Sequence, residues 1–90
     1  MTTDRRGLVA KLHEQLEATG ERPVDREASR WLGEAEAVAA DAVYAPSGAV
    51  ETRLKQVEHL LDEVDGTGDP TADKHVERAR ELLVELDEQC

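Results

Sequence analysis

Acidic residues are the groups in this sequence whose spacing comes closest to a chemical motif. Glu14 and Glu17 match the first half of an ExxE…ExxD pattern, in which carboxylates from two helices bind magnesium. The second half is absent, and Asp62 with Asp65, at the end of a predicted helix, is a poor substitute. Because the chain has 21 Asp and Glu residues among 90, short carboxylate motifs arise by chance. The spacing therefore argues against a catalytic magnesium ion.

The three histidines and the single cysteine do not complete another kind of site. A di-iron bundle needs Glu-x-x-His on facing helices, but Ala or Gln stands three residues before each histidine. We interpret His13 and His59 as surface residues and His75 as a hydrogen-bonded residue at the edge of the core. Cys90 has no basic neighbour in sequence that would activate its thiolate. We therefore predict no catalytic residue, no metal site and no cofactor, and a protein that is not an enzyme.

Four helices are predicted to carry these side chains. Between clusters of glycine and proline, apolar residues recur at intervals of three and four, which is typical of amphipathic helices. No segment has the alternating pattern of a strand. The predicted helices lie near residues 4–19, 24–44, 48–64 and 70–88.

Each predicted helix has residues that suit its ends. Asp69 followed by Pro70 is the clearest start, because proline is favoured at the first helical position. Gly20 is the clearest stop. The other candidates for N-terminal positions are Thr2, Thr3 and Asp4 for the first helix, Pro23 or Asp25 for the second, and Ser47 for the third.

The connectors determine how these helices pack. Connectors of a few residues make consecutive helices antiparallel. We therefore predict an all-α fold, in which residues 1–90 form a single domain, an antiparallel up-down-up-down four-helix bundle of two αα-hairpins. An alternative is a pair of hairpins that closes only on dimerisation. Arg53 is expected at the edge of the core. The core itself should contain Leu12, Leu16, Trp31, Ala35, Val38, Leu54, Val57, Leu61, Val76, Ala79, Leu83 and Leu86.

The second predicted helix is apolar on two sides. Opposite its core stripe, at intervals of four, three and four, lie Gly33, Ala37, Ala40 and Tyr44. A surface helix normally has charged residues there, whereas the acidic residues of this helix lie on its flanks. Small residues let two helices approach closely, and Tyr44 adds contact area and a hydroxyl group. We therefore predict a homodimer with twofold symmetry through these four residues.

The charge of the chain limits its surroundings and partners. The formal net charge is −10, and the acids are spread over the whole chain, which suits a solvated surface in concentrated salt better than a mimic of nucleic-acid phosphates. Direct nucleic-acid binding is disfavoured because no basic stripe is present. No segment approaches the roughly 20 apolar residues of a membrane span. With no signal peptide expected and one cysteine, we predict a cytoplasmic protein.

Two segments resemble a known family. Residues 22–36, RPVDREASRWLGEAE, and residues 67–73, TGDPTAD, are similar to a family of small acidic proteins from halophilic archaea. The resemblance covers most of the chain and implies a cytosol of high salt concentration. The family has no assigned activity, so the resemblance implies no catalytic or binding residue.

The function that these patterns favour is binding. We predict a small helical structural or interaction protein of the adaptor type, which associates with itself or with an unidentified protein partner through apolar helix surfaces. One alternative is a carboxylate-based, metal-dependent hydrolase of the all-α kind. The other is an acidic regulator that binds basic proteins.

Overall fold

The structure, a computed structural model, describes residues 5–88 except for the Ser47 side chain. This part of the chain is 82% helical and has no strand. Its elements are α1 (Arg5–Thr19), α2 (Arg26–Tyr44), α3 (Ser47–Asp62) and α4 (Pro70–Glu88). The predicted all-α fold is therefore confirmed. The cap candidates Thr2, Thr3 and Asp4, and also Cys90, lie outside the described residues.

The helices form a ring in which each one packs against two others. α1 packs on α2, α2 on α3, and α4 closes the ring by packing on α1, while the diagonal pairs of the described helices do not pack together. The α2–α3 and α1–α4 contacts are the most extensive, and α3 touches α4 only slightly. This is the predicted four-helix bundle, with one seam, between α3 and α4, much more open than the rest.

Aliphatic residues from all four helices form one core. α1 contributes Leu12 and Leu16, which are fully buried, and α2 contributes mainly alanines, which let α1 and α3 approach it closely. Ten of the twelve predicted core residues are buried. The prediction is wrong for Trp31 and Val38, which are only partly buried at the edge of the core.

Trp31 and Val38 are less buried than predicted because α2 is rotated slightly about its axis relative to the prediction. Its buried stripe runs through Leu32 and Ala39 rather than through Trp31 and Val38. Trp31 therefore packs at a flank, where the Arg30 guanidinium lies 5.3 Å from the centre of the indole ring. A cation above an aromatic face is an attractive arrangement.

The helix ends differ from the prediction in three details. α1 stops at Thr19 as expected, but Gly20 does not have a positive φ, and its N–H instead donates to Glu17 O at 3.0 Å in a tight turn. α2 begins after Asp25, so Pro23 is not in its first turn. Ser47 is the first helical residue of α3 and not its cap, because Pro46 occupies the capping position in an extended conformation.

Two polar residues at the edge of the core behave as predicted. His75 is half-buried, and its Nδ1 lies 2.8 Å from Gln15 Oε1, which joins α4 to α1. Arg53 is half-buried, and its Nη1 donates to Gln56 Oε1 at 3.4 Å. Among the described residues, no helix is both long enough and apolar enough to span a membrane.

Candidate functional site

The four residues predicted to mediate self-association lie on the outward side of α2, which we call the outer α2 surface. Gly33 and Ala37 are exposed, Ala40 is half-buried, and Tyr44 is 87% exposed. A Cβ atom at Gly33 would meet nothing within 4 Å. Nothing within the monomer therefore requires glycine at this position, and the surface is accessible to another molecule.

The carboxylates of the incomplete magnesium motif are not brought together. Glu14 and Glu17 are on α1, Asp62 is the last residue of α3, and Asp65 follows in the connector. Because α1 and α3 do not pack on each other in the described part of the chain, the two halves of the motif are not brought together. Glu17 instead lies beside His13 and, on α2, Glu36.

The open seam between α3 and α4 forms a groove that the sequence reasoning missed. Two adjoining cavities, of about 250 and 20 Å³, follow this seam and share Glu58, Leu83 and Asp87. Val84, on the α4 side, is 60% exposed. The apolar residues of this α3–α4 groove are Leu54, Leu61, Leu83, Val84 and Leu86. Its shallow, open shape suits a row of side chains from another helix better than an enclosed small molecule.

The rim of the α3–α4 groove is acidic. Its basic members are Lys55 and Arg80, and its acidic members are Glu51, Glu58, Asp62 and Asp87. Arg80 Nη2 donates to Leu61 O at 2.9 Å and to Val64 O at 3.0 Å. This guanidinium therefore stabilises the carbonyl end of α3, where backbone acceptors lack helical partners. In the described part of the chain, none of the four rim carboxylates forms an ion pair.

One signal for the groove is present in the sequence. Three consecutive apolar residues, Leu82, Leu83 and Val84, make the apolar stripe of α4 wider than one neighbouring helix covers. The periodicity of α4 alone cannot tell which part of this wide stripe is left uncovered. That depends on how far α3 and α4 are separated.

A network of polar residues joins the two connectors at one end of the bundle. Arg22, after α1, forms a two-pronged ion pair with Asp69, before α4. Asp69 Oδ2 also accepts from the Ala72 N–H at 2.9 Å, which confirms Asp69 as the cap of α4. Thr67 donates its backbone N–H and its hydroxyl to Asp73 Oδ1, at 2.9 and 2.7 Å.

The same network explains one glycine. The Asp25 N–H donates to Thr67 O at 2.7 Å, so the start of α2 lies against the connector before α4. Gly68 has a φ of +82°, and a Cβ atom there would lie 2.6 Å from Asp25 Oδ1. A side chain at Gly68 would therefore be both strained and in collision. We call Arg22, Asp25, Thr67, Gly68, Asp69 and Asp73 the connector clasp.

Within the connector clasp, Arg22 and Asp69 stabilise each other's charged form. The Arg22 guanidinium, followed by the Ala72 amide, holds the pKa of the Asp69 carboxyl below its ordinary value, and desolvation opposes this effect only in part. The same hydrogen bond and charge raise the pKa of Arg22. Each of these groups therefore favours the ionised form of the other.

The connector clasp is built from the two segments that carry the family resemblance. A family model described as "Domain of unknown function (DUF8152)" matches residues 8–90. The chain belongs to the DUF8152 family. Comparisons with curated proteins and with solved structures each find no match. The expected membership of a family without an assigned activity is thus confirmed, and a halophilic origin stays an expectation.

The two segments that resemble the family have a structural role in this DUF8152 domain. Arg22, Asp25 and the TGDPTAD segment hold two connectors together and start α4. In the second segment, the side chains of Thr67, Asp69 and Asp73 are thus engaged in hydrogen bonds within the domain. The outer α2 surface and the α3–α4 groove are accessible to other molecules.

Proposed function

We propose that this DUF8152 domain is a protein-interaction module that binds an amphipathic helix of a partner protein in the α3–α4 groove. The observation that supports this most directly is the open seam of the bundle. α3 touches α4 only slightly, whereas every other neighbouring pair packs extensively. A helix seated in the seam would contact both α3 and α4 and would cover Val84 and the exposed edges of Leu54 and Leu83.

The apolar part of the groove supplies the attraction. Val84 is 60% exposed, and Leu54 and Leu83 retain 8% exposure, more than most of the core. Burial of this apolar surface favours association. Helix-in-groove binding uses apolar anchors spaced three and four residues apart on the incoming helix. The groove follows residues 51–62 of α3 and 80–87 of α4, enough for about two to three turns of contact.

The charge of the rim indicates the kind of partner. Four carboxylates face two basic groups, and one of these, Arg80, is already bonded to the end of α3. The whole chain carries a net charge of −10. Because complementary charge directs association and excludes like-charged molecules, the partner helix should have Lys and Arg beside its apolar stripe. This proposal joins the adaptor prediction to its alternative, an acidic protein that binds basic partners.

A pair of synthetic peptides tests the proposal. Both are about 16 residues long with the same leucine stripe, but one has Lys and the other Glu on its polar side. Fluorescence anisotropy should detect binding of the Lys peptide alone. Val84→Asp should weaken that binding at least about tenfold, or 1.4 kcal/mol. Ala37→Asp, an equally exposed change on α2, is the matched control and should have little effect. Equal weakening by both variants would refute a groove-specific site.

A second candidate function is self-association through the outer α2 surface. The observation that favours it is Tyr44, the most exposed large apolar residue of the described chain at 87%. Gly33 and Ala37, about three and two turns earlier on the same surface, would let two α2 helices cross closely. The acidic flanks of α2 would face each other across this seam, so concentrated salt should favour the dimer.

Binding without catalysis is the role we propose for both surfaces. We expect no enzymatic activity, since the first half of the magnesium motif lies on α1 and the substitute for its second half lies at and after the end of α3, which does not pack on α1. We also expect a cytoplasmic location at high salt, because the spread of acidic residues suits that setting.

A further inference from the structure

A mixed cluster of one histidine and two carboxylates lies between α1 and α2, outside the surfaces described above. We propose that His13, Glu17 and Glu36 bind a divalent transition-metal ion such as Zn²⁺. One ligand atom from each residue lies within 4.8 Å of the other two. His13 and Glu36 are half-buried, and Glu17 is exposed. The sequence interpretation of His13 as a surface residue does not include this contact with α2.

The fold positions the three ligands from two elements. His13 and Glu17 are four residues apart on α1, so both side chains are on one side of that helix. Glu36 reaches the same place from α2, which packs on α1. Its Oε1 lies 3.8 Å from the position that a Cβ atom of Gly20 would take. The Glu36 carboxylate is therefore held beside the last turn of α1.

The electrostatics of the cluster favour a cation. Two carboxylates lie together near the C-terminal end of α1, where the backbone carbonyls add a partial negative charge. Within the described residues, no Lys or Arg forms an ion pair with Glu17 or Glu36. The net charge of −10 raises the local concentration of cations further. A bound metal ion would remove this repulsion and link α1 to α2.

The donor set identifies the class of metal. One imidazole nitrogen with two carboxylate oxygens suits Zn²⁺ and its first-row neighbours, whereas Mg²⁺ and Ca²⁺ prefer oxygen ligands alone. Tetrahedral bonds of about 2.1 Å to zinc bring ligand atoms to roughly 3.4 Å from one another. Because the cluster is accessible to solvent, side-chain rotation can close the remaining gap, and water can complete the coordination.

Metal titration in the full chain tests the site. Zn²⁺ is titrated calorimetrically into protein with Cys90→Ser, which removes the only thiol. We expect one ion per chain. His13→Ala and Glu36→Gln should each weaken binding at least about tenfold, because each removes a direct ligand of the metal ion. Co²⁺ should give a visible absorption spectrum that both variants lose.

Two matched control variants distinguish metal binding at this site from nonspecific binding of cations to the acidic surface. Glu14→Gln removes an equal charge beside His13 but outside the cluster. His59→Ala removes a histidine on α3 that has the same spacing to an acid, Glu63, which directly follows the helix. Both should change the affinity less than about twofold, and circular dichroism should confirm that all variants keep the helical fold. No saturable binding below about 1 mM Zn²⁺, or equal weakening by Glu14→Gln and Glu36→Gln, would overturn the proposal.

Discussion

Arg22 and Asp69 are 47 positions apart in the chain and form a two-pronged ion pair. Arg22 Nε lies 3.0 Å from Asp69 Oδ2, and Nη2 lies 3.1 Å from Oδ1. The side chain of Asp69 is 9% exposed, and that of Arg22 is 42% exposed. This pair joins the α1–α2 connector to the α3–α4 connector. It therefore holds one end of the bundle together, whereas α3 and α4 pack only slightly on each other.

Acidification should weaken this end of the bundle. The pKa of Asp69 is lowered in the folded protein, so its contribution to stability is present above its ordinary pKa of 3.8. That contribution is lost as the pH falls through the lower folded value. Asp69→Asn keeps a capping oxygen but not the charge. We expect a lower Tm for this variant at pH 7 and convergence with the wild type near pH 2.

Thermal melting between pH 7 and pH 2 measures this difference. Glu21→Gln is the control, because Glu21 is an exposed acid in the same connector. A Tm difference between the wild type and Asp69→Asn that is independent of pH would contradict a stabilising role for the Asp69 charge.

Because the α3–α4 seam is open, replacing two leucines with alanine should lower the stability of the fold by different amounts. Leu12 is fully buried, whereas Leu83 is 8% exposed on the α3–α4 groove. Leu→Ala changes in cores cost about 2–5 kcal/mol, and a site open to solvent leaves a smaller cavity. Leu12→Ala should therefore lower the free energy of unfolding by an amount near the upper end of this range, and Leu83→Ala by an amount near the lower end. Urea unfolding measures both, and an equal cost would mean that the seam is as closely packed as the core.

Periodicity predicts which side of each helix is buried, and it succeeds for Leu12, Leu16 and Leu61 for that reason. It does not give the distance between two helices. The groove beside Val84 is therefore visible only in the structure. The same limit applies to Glu36, which reaches His13 only because α2 packs on α1.

The connectors were the least predictable part of the chain. Thr67 is fully buried although it lies in a polar turn, because its N–H and hydroxyl both bond to Asp73. Arg22 pairs with a residue far along the sequence. Local turn chemistry predicted Asp69 as a helix cap, but long-range partners of this kind have no local signal.

Salt should stabilise the domain. In the described part of the chain, ion pairs engage only Asp69, Glu81 and Glu85, although the sequence has 21 acidic residues. The Debye length falls from about 10 Å at 0.1 M salt to about 3 Å at 1 M. We expect the Tm to rise at least about 5 °C over this range, roughly 1 kcal/mol for a domain of this size. An unchanged Tm would mean that the carboxylates do not repel one another appreciably.

From the outer α2 surface we predict a dimer that a single substitution dissociates into monomers. Light scattering at about 2 M salt should give twice the 9.9 kDa mass of the monomer. Ala37→Glu should give a folded monomer, because it adds charge at the seam while Ala37 itself is exposed. A monomeric wild type would end this hypothesis. A dimer that survives Ala37→Glu would show that another surface mediates association.

Nuclear magnetic resonance of the labelled domain, titrated with the Lys-rich amphipathic peptide, tests the central proposal most directly. The predicted result is a set of amide shifts concentrated around Leu54, Leu61 and Val84, with little change around Ala37 on the outer α2 surface. Val84→Asp should abolish these shifts at the same peptide concentration. Shifts spread evenly over the acidic surface, or unaffected by Val84→Asp, would contradict an interaction site in the α3–α4 groove.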